Sequence, residues 1–220
     1  MTFSRALRQR SRTSWDLICG HPFVQAIGDG TLSVSRFRYF MRQDYLFLIE
    51  YARVLAMAAG KAPDLTSMTS FAALLSETLN SEMALHRSMC GDYGITARQL
   101  ALTRPAGATA RYTQFLVDVA TNGGIEEICA ALLPCQWSYD EIGRSLAGSR
   151  LARPGSFHRR WINGYNSPEY RAVTEWLVGF VDRIGPHARP STQSRMHELF
   201  EESCRHELRF WESAWRLGRA

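Results

Sequence analysis

Apolar residues recur at intervals of three and four through most of the chain, and glycine, proline and small polar residues separate these stretches. This spacing places the apolar side chains on one face of an α-helix, whereas the alternation and hairpin turns typical of strands do not appear. The sequence therefore predicts an all-α protein of about seven or eight helices.

The polar breaks predict where these helices begin and end. Ser33 and Ser167 can each accept a hydrogen bond from an unpaired backbone N–H at a helix start, and Pro168 fits the first helical position. No internal repeat or linker is visible, so residues 1–220 are expected to form a single domain. After a first helix over residues 3–19 and a short helical piece beyond His21-Pro22, we expect helices over 33–60, 65–91, 108–121, 124–147, 157–165, 167–184 and 191–217.

Composition narrows the function classes. The longest strongly apolar stretches, such as residues 54–59, are far shorter than the ~20 residues of a membrane-spanning helix, so no membrane partner is expected. Five irregularly spaced cysteines without a C-x-x-C pair favour neither a disulfide framework nor a zinc site, and fit the cytoplasm. The net charge of +5 comes from scattered arginines, which indicates a solvated surface rather than a nucleic-acid partner.

Three predicted helices carry a reactive side chain on the face that should be packed. These are Asp44 in the helix after Ser33, Cys135 in the middle of the chain and Glu207 in the last helix. Each has an ordinary interpretation, since an aspartate can lie at the edge of the stripe beside an arginine, and a buried cysteine can act as a small hydrophobe. Convergence of all three on one polar pocket is the more economical explanation.

Such a pocket suits nucleophilic chemistry on a flat ligand. A thiolate attacks electron-poor carbon, and two carboxyl groups in different environments can act as acid and base. Aromatic side chains would supply flat walls for a heteroaromatic ring, although any one of them is more often a packing residue. The candidates for these walls are Tyr45, Phe47, Tyr112, Tyr139 and Tyr165.

Several short segments occur together in the order and spacing of a known family. The most specific are residues 134–143, which read PCQWSYDEIG, and Glu207 followed by Phe210 and Trp211. The others are His21-Pro22-Phe23, Asp29-Gly30-Thr31-Leu32, Tyr39 through Gln43-Asp44-Tyr45, Glu82 with His86, and Trp161-Ile162 with Tyr165. On these residues the chain resembles, over nearly its whole length, the TenA family (thiaminase II, aminopyrimidine aminohydrolase), whose helical fold is haem-oxygenase-like but holds no haem.

The resemblance implies a role for each matching residue. Cys135 would be the nucleophile, which places the chain in the cysteine-bearing branch of the family; Asp44 would bind the aminopyrimidine edge and Glu207 would act as acid/base. Tyr112 and Tyr139 would line the site, as would Tyr165. One position departs from the family pattern, because Phe47 stands where tyrosine is common, which keeps a ring for stacking but removes a hydroxyl.

The resemblance also implies a reaction and its setting. The chain would hydrolyse an aminomethylpyrimidine, and thiamin as a further candidate, to the hydroxymethylpyrimidine in thiamin salvage. The reaction would need no metal or organic cofactor, and the small-molecule pyrimidine would be its partner. A homotetramer is implied as well.

Three alternatives stay open at this point. Glu82/His86 and Glu202/His206 are pairs at a spacing of four that could bind iron in a metal-dependent oxygenase, although such pairs are more often structural. Haem would need an axial histidine inside the first helix, whereas His21 follows it, where a cap is more natural. A non-catalytic protein could keep the pocket to bind a pyrimidine.

Overall fold

A computed structural model describes residues 1–218 of the chain. Within that range the chain forms twelve α-helices, one π-helical turn and one 3-10 turn, and no β-strand. The α-helices are α1 (Phe3–Arg10), α2 (Arg12–Cys19), α3 (Pro22–Gly28), α4 (Val34–Lys61), α5 (Leu65–Glu77), α6 (Met83–Asp92), α7 (Ala97–Ala101), α8 (Gly107–Asn122), α9 (Ile125–Ala147), α10 (Phe157–Tyr165), α11 (Pro168–Ile184) and α12 (Pro190–Trp215).

The predicted helix starts have the expected caps. The Ser33 hydroxyl accepts a hydrogen bond from the backbone N–H of Arg36 at the start of α4, and Ser167 caps α11 in the same way. His21 also caps a helix, because its Nδ1 accepts the N–H of Phe23 at a distance of 3.1 Å. The prediction of a cap role for His21 is confirmed, and this use of the ring ties it to local structure.

The structure differs from the predicted helices at three places. The first helix breaks at Ser11, whose φ of −94° and ψ of 16° are not helical. A five-residue π-helical turn, Thr78–Glu82, separates α5 from α6 within the helix predicted over residues 65–91. The short α7 was not predicted, although Thr96 and Gln99 form a capping box, a signal that was present in the sequence.

The long helices α4, α9 and α12 build the core. Helix α9 packs against α8, α10, α11 and α12, so it is surrounded by other helices for most of its length. Gly143 permits the close approach of α10, because a Cβ there would lie 2.6 Å from the carbonyl carbon of Tyr165. A helix buried on several sides brings its side chains into contact with several neighbours, which places residues of α9 at the centre of any interior site.

Candidate functional site

The three reactive residues of the sequence analysis all lie inside the protein. Asp44 on α4 and Glu207 on α12 are only 4% and 1% exposed, while Cys135 on α9 is partly buried. The thiol of Cys135 interacts electrostatically with both carboxyl groups. The structure therefore brings together the side chains that the helical stripes placed on three separate buried faces.

Glu207 belongs to a chain of buried polar groups. Its Oε1 lies 2.8 Å from the hydroxyl of Tyr112, which lies 3.1 Å from the hydroxyl of Ser203, one turn earlier in α12. Ser203 donates a hydrogen bond of 2.7 Å to the carbonyl of Ala131 in α9. The other carboxyl oxygen, Oε2, is buried without a hydrogen-bond partner among the described residues. One oxygen is thus held by Tyr112, and the other is available to a ligand or to a proton.

The environment of Glu207 makes it suitable for proton transfer near neutral pH. Burial raises the pKa of Glu207 to about 7, while its contacts with Tyr112 and Cys135 act in the opposite direction. The charge of Asp44 raises it further. A carboxyl group that titrates near pH 7 can both accept and donate a proton under physiological conditions.

Cys135 follows a proline inside α9. Pro134 has no backbone N–H, so one hydrogen bond of the helix is missing next to the thiol. Burial raises the pKa of Cys135 well above its ordinary range, and the neighbouring Glu207 raises it further. The resting residue is therefore a thiol, and a nucleophilic role requires a base that removes its proton during the attack.

Asp44 lies beside a histidine that the sequence analysis treated as structural. Its Oδ2 is 3.5 Å from Nε2 of His86, and Nδ1 of the same ring is 3.6 Å from the sulfur of Cys90. His86 is 5% exposed, and its Nε2 has no partner in full hydrogen-bond geometry among the described residues. The imidazole is therefore positioned to contact both Asp44 and a bound molecule.

A cavity of about 240 Å³ opens next to Asp44. Its volume fits a small heterocycle rather than a large cofactor. The aromatic part of its wall is formed by Phe40, Trp161, Tyr165 and Tyr170, and its polar part by Asp44, Glu77, Ser81, Glu82, His86, Gln136, Arg160, Ser167 and Glu169. Asp44 and flat rings therefore face the space that a ligand would enter, whereas Cys135 and Glu207 lie outside its lining residues.

Four of the five predicted aromatic contacts occupy two positions around the site, and the fifth, Tyr45, lies with its ring 6.0 Å from that of His86, outside the cavity lining. The Tyr165 ring lines the cavity and meets the Tyr139 ring edge-on, with 4.8 Å between centroids. Tyr139 also stacks on Trp211 at 5.1 Å. Phe47 and Tyr112 lie deeper, with their ring centroids 4.9 Å apart. The first pair is placed to flank a bound ring, whereas the second pair packs beside Glu207.

Several buried polar atoms around the site lack partners. In native proteins most buried polar groups are hydrogen-bonded, so a local cluster of exceptions indicates a place where a ligand or water completes the bonding. The unpartnered atoms near the cavity and the thiol, counted over the described residues, are Tyr51 Oη, His86 Nε2, Trp161 Nε1, Glu207 Oε2 and Trp211 Nε1.

Glu82 is a site residue that the sequence analysis missed as such. The structure places its carboxyl group in the cavity wall, and burial together with the charge of Asp44 raises the pKa of Glu82 to about 8. The π-helical turn that ends at Glu82 brings this side chain to the cavity, and no sequence signal for that turn was recognised. The spacing of four between Glu82 and His86 was visible in the sequence, but the direction in which the Glu82 side chain points was not.

The raised pKa of Glu82 makes stability depend on pH. The folded state retains a proton that the unfolded chain loses above about pH 4.5, so this stabilisation is present in acid and is lost as pH rises through 8. We expect Glu82→Gln to remove that loss. From pH 6 to pH 9 its free energy of unfolding should fall by about 2 kcal/mol less than that of the wild type.

Urea unfolding followed by circular dichroism at the two pH values measures this difference. Glu50→Gln is the matched control, because it removes a carboxylate that pairs with Arg53 on the outer side of α4. The control should retain the pH dependence of the wild type. An equal pH dependence in Glu82→Gln and the wild type would contradict the raised pKa of Glu82.

The residues of the metal and haem alternatives have other contacts. His206 stacks against the Tyr112 ring at 5.2 Å and the Phe115 ring at 4.9 Å. Over residues 1–218, no group of three or more His, Cys, Asp or Glu side chains is arranged to hold a metal ion. Glu82/His86 and Glu202/His206 therefore do not combine into the ligand set that a di-iron oxygenase needs.

None of the helices in residues 1–218 combines the length and the apolar composition that crossing a membrane requires.

Solved structures of other proteins share this architecture. A TenA homologue protein from P. horikoshii OT3 superposes with a TM-score of 0.90, 29% sequence identity and coverage of 98% of this chain and 99% of that one. A domain of unknown function with a haem-oxygenase-like fold from Shewanella denitrificans OS217 superposes with a TM-score of 0.75 at 15% identity, covering 97% and 92% of the two chains. The prediction of an all-α, haem-oxygenase-like fold is confirmed. The protein is thus a haem-oxygenase-like helical protein that places the partly buried Cys135 near the buried carboxyl groups of Asp44 and Glu207.

Sequence comparison identifies the family within that class. A sequence model described as the TENA/THI-4/PQQC family matches residues 8–217. An aminopyrimidine aminohydrolase from Halalkalibacterium halodurans is 39% identical over 215 residues, which cover 98% of this chain and 96% of the relative. The chain belongs to the TENA/THI-4/PQQC family, which confirms the resemblance found in the sequence.

Proposed function

We propose that this chain is an aminopyrimidine aminohydrolase of the thiaminase II type. It hydrolyses 4-amino-5-aminomethyl-2-methylpyrimidine to the hydroxymethylpyrimidine, and it accepts thiamin as a second substrate. The observation that carries the proposal is the buried Glu207 carboxyl group, held by Tyr112 through one oxygen and unpartnered at the other among the described residues, in the same interior region as Cys135 and Asp44. The printed name of the relative from Halalkalibacterium halodurans supports the choice of substrate class.

The pyrimidine binds with one edge against Asp44. An aminopyrimidine presents an amino group beside a ring nitrogen, and a carboxyl group can contact both at once. The rings of Tyr139 and Tyr165 provide flat apolar surfaces beside this position. Binding therefore fixes the ring carbon next to the nitrogen in front of the Cys135 sulfur.

The first chemical step joins the thiol to the ring. Ionised Glu207 takes the proton of Cys135 while the sulfur bonds to the ring carbon beside the nitrogen. A proton shared between Asp44 and that nitrogen stabilises the adduct. The electron pair then expels the group on the exocyclic methylene: ammonia leaves with the proton from Glu207, or the thiazole leaves when thiamin is the substrate.

The second step restores the enzyme. Water adds to the exocyclic methylene and gives one proton to Glu207, which forms the hydroxymethyl group. The carbon–sulfur bond then breaks, and the departing sulfur recovers its proton from Glu207. Each proton that Glu207 accepts is returned within the cycle, so its carboxyl group must titrate close to the working pH, as a pKa of about 7 allows.

The test is a substrate panel with the purified protein. Ammonia release from the aminomethylpyrimidine and thiazole release from thiamin are measured in parallel with calorimetric binding of the hydroxymethylpyrimidine product. We expect turnover of both substrates, with the aminomethylpyrimidine preferred. Tight binding of the product without turnover of either substrate would instead indicate a non-catalytic pyrimidine-binding protein.

We also propose the setting in which this activity operates. The chain works as a single domain in a homotetramer and is located in the cytoplasm. Five cysteines without disulfides support a reducing compartment. Light scattering after size-exclusion chromatography measures the assembly, and a mass of one or two chains would contradict the tetramer.

A further inference from the structure

Ser203 is a fully buried serine that the proposed reaction does not use. It lies on α12 one turn before Glu207, and its hydroxyl is 3.1 Å from the Tyr112 hydroxyl and 2.7 Å from the Ala131 carbonyl oxygen. Tyr112 in turn lies 2.8 Å from Oε1 of Glu207. Four oxygens, from Ala131, Ser203, Tyr112 and Glu207, therefore form one unbranched chain in the core.

The number of protons in this chain fixes its direction. A carbonyl oxygen can only accept, so the single hydroxyl proton of Ser203 points to Ala131. The Tyr112–Ser203 contact then needs the single hydroxyl proton of Tyr112. No proton is left for the contact between Tyr112 and Glu207 unless the carboxyl group supplies it. All three contacts are hydrogen bonds only when Glu207 is protonated.

Ionisation of Glu207 breaks this arrangement. The Tyr112 proton turns to the carboxylate, and the hydroxyl oxygens of Tyr112 and Ser203 then face each other at 3.1 Å without a proton between them. If Ser203 turns to Tyr112 instead, it abandons the Ala131 carbonyl. Either outcome leaves one contact unsatisfied in a site without exposure to solvent, where unmade hydrogen bonds are costly.

We propose that Ser203 is a positioning residue for the acid/base group, and that it keeps the Tyr112 hydroxyl turned away from Glu207 so that the carboxyl group retains its proton. Ser203 does not touch the reacting atoms. It makes ionised Glu207 a stronger base toward the Cys135 thiol by accepting the hydrogen bond that Tyr112 would otherwise give to the carboxylate. This inference rests on the acid/base role given to Glu207 in the proposed function.

Other groups around Glu207 also shift its pKa, so any test must leave those residues unchanged. Asp44 from α4 raises the pKa of Glu207, and Cys135 from α9 acts in the opposite direction through its contact with the carboxyl group. The titratable groups that interact with Glu207 from the neighbouring helices and from α12 itself are Asp44, Tyr51, Tyr112, Cys135, Tyr139, Tyr165 and Cys204. A substitution at Ser203 leaves all of these residues in place, and Tyr112 is the one among them that Ser203 contacts.

Infrared difference spectroscopy of the intact protein reports the proton on Glu207 without requiring turnover. The carboxylic acid band that disappears in Glu207→Gln is assigned to Glu207 and followed from pH 5 to pH 9. In Ser203→Ala, Tyr112 donates to the carboxylate without a competing acceptor. We expect the titration midpoint to move down by about one pH unit, the equivalent of one neutral hydrogen bond.

Two further variants separate positioning from a general effect on packing. Tyr112→Phe removes the hydroxyl through which Ser203 acts, so the midpoint of this variant serves as the reference for the pair. Adding Ser203→Ala to Tyr112→Phe should produce no further shift, because Ser203 acts only through the tyrosine hydroxyl. Ser213→Ala is the matched control: Ser213 is 4% exposed on the same helix and lies 2.9 Å from the Tyr39 hydroxyl.

The pH dependence of turnover is a second test of the role of Ser203. In Ser203→Ala the rise of kcat/KM with pH should move down together with the infrared midpoint, while the plateau at high pH falls because Glu207 is a weaker base. An unchanged infrared midpoint, or an equal shift in the presence and absence of Tyr112, would overturn the inference. If the infrared midpoint moves but no variant turns over substrate, the positioning role stands and the proposed function fails.

Discussion

Replacement of Cys135 by alanine is expected to reduce kcat for the aminomethylpyrimidine by at least about 10³-fold, as the loss of a covalent nucleophile does in other enzymes. The sulfur forms the bond that makes the ring electron-rich enough to expel ammonia, and no other group contacting Glu207 can replace it. Because Asp44 and the aromatic rings remain in place, the dissociation constant of the pyrimidine product should change little.

Cys129 provides the matched control for this experiment. It lies on the same helix and is fully buried, so Cys129→Ala removes an equivalent thiol from α9 away from Glu207. Its activity should stay close to that of the wild type. Retention of more than a tenth of the wild-type kcat by Cys135→Ala would contradict the nucleophilic role.

Replacement of Glu207 by glutamine should reduce kcat/KM by about 10²- to 10⁴-fold, the range associated with general acid–base catalysis. Glutamine keeps the size of the side chain and can still contact Tyr112, but it cannot take the proton of Cys135. In the wild type we expect kcat/KM to rise with pH through about 7 as Glu207 ionises, and this dependence should be lost in the variant.

The same variant should have opposite effects on catalysis and on thiol reactivity. Glu207 raises the pKa of Cys135 by charge and by its direct contact, so removing the carboxylate lowers the pKa of the thiol. Alkylation of Cys135 at a fixed alkaline pH should therefore be faster in Glu207→Gln while turnover is slower. Glu202→Gln, on the same helix but in a groove on the surface, should leave both rates unchanged; slower alkylation in Glu207→Gln would contradict the coupling of the two residues.

Periodicity in the sequence predicted the faces of the helices but not how those faces meet. Asp44, Cys135 and Glu207 each interrupt an apolar stripe, and this pattern alone predicted that they face the interior. Their mutual interaction depends on the packing of α4, α9 and α12, which no local pattern encodes. The sequence supported a shared pocket for these three residues only as the simplest explanation. Their arrangement in space is shown by the structure alone.

Residues outside the stripes were harder to recognise. Glu82 was considered as a partner of His86, because spacing along a helix was the only information available. The structure directs His86 toward Asp44 and Glu82 toward the cavity. The sequence analysis did not single out Ser203, because a function for it depends on which oxygens lie within hydrogen-bond distance, and that is a property of three helices together.

The π-helical turn Thr78–Glu82 determines where two acidic side chains of the cavity wall point. At about 100° per residue, positions 77 and 82 of an α-helix would point some 140° apart, whereas the looser winding of this turn brings both Glu77 and Glu82 to the cavity wall. Deleting one residue in this stretch would restore regular winding and leave the two glutamates four positions apart, about 40° from each other, so both would still face the cavity. The extra residue is therefore accommodated by looser winding, and the two acids keep their places in the cavity wall whether or not it is present.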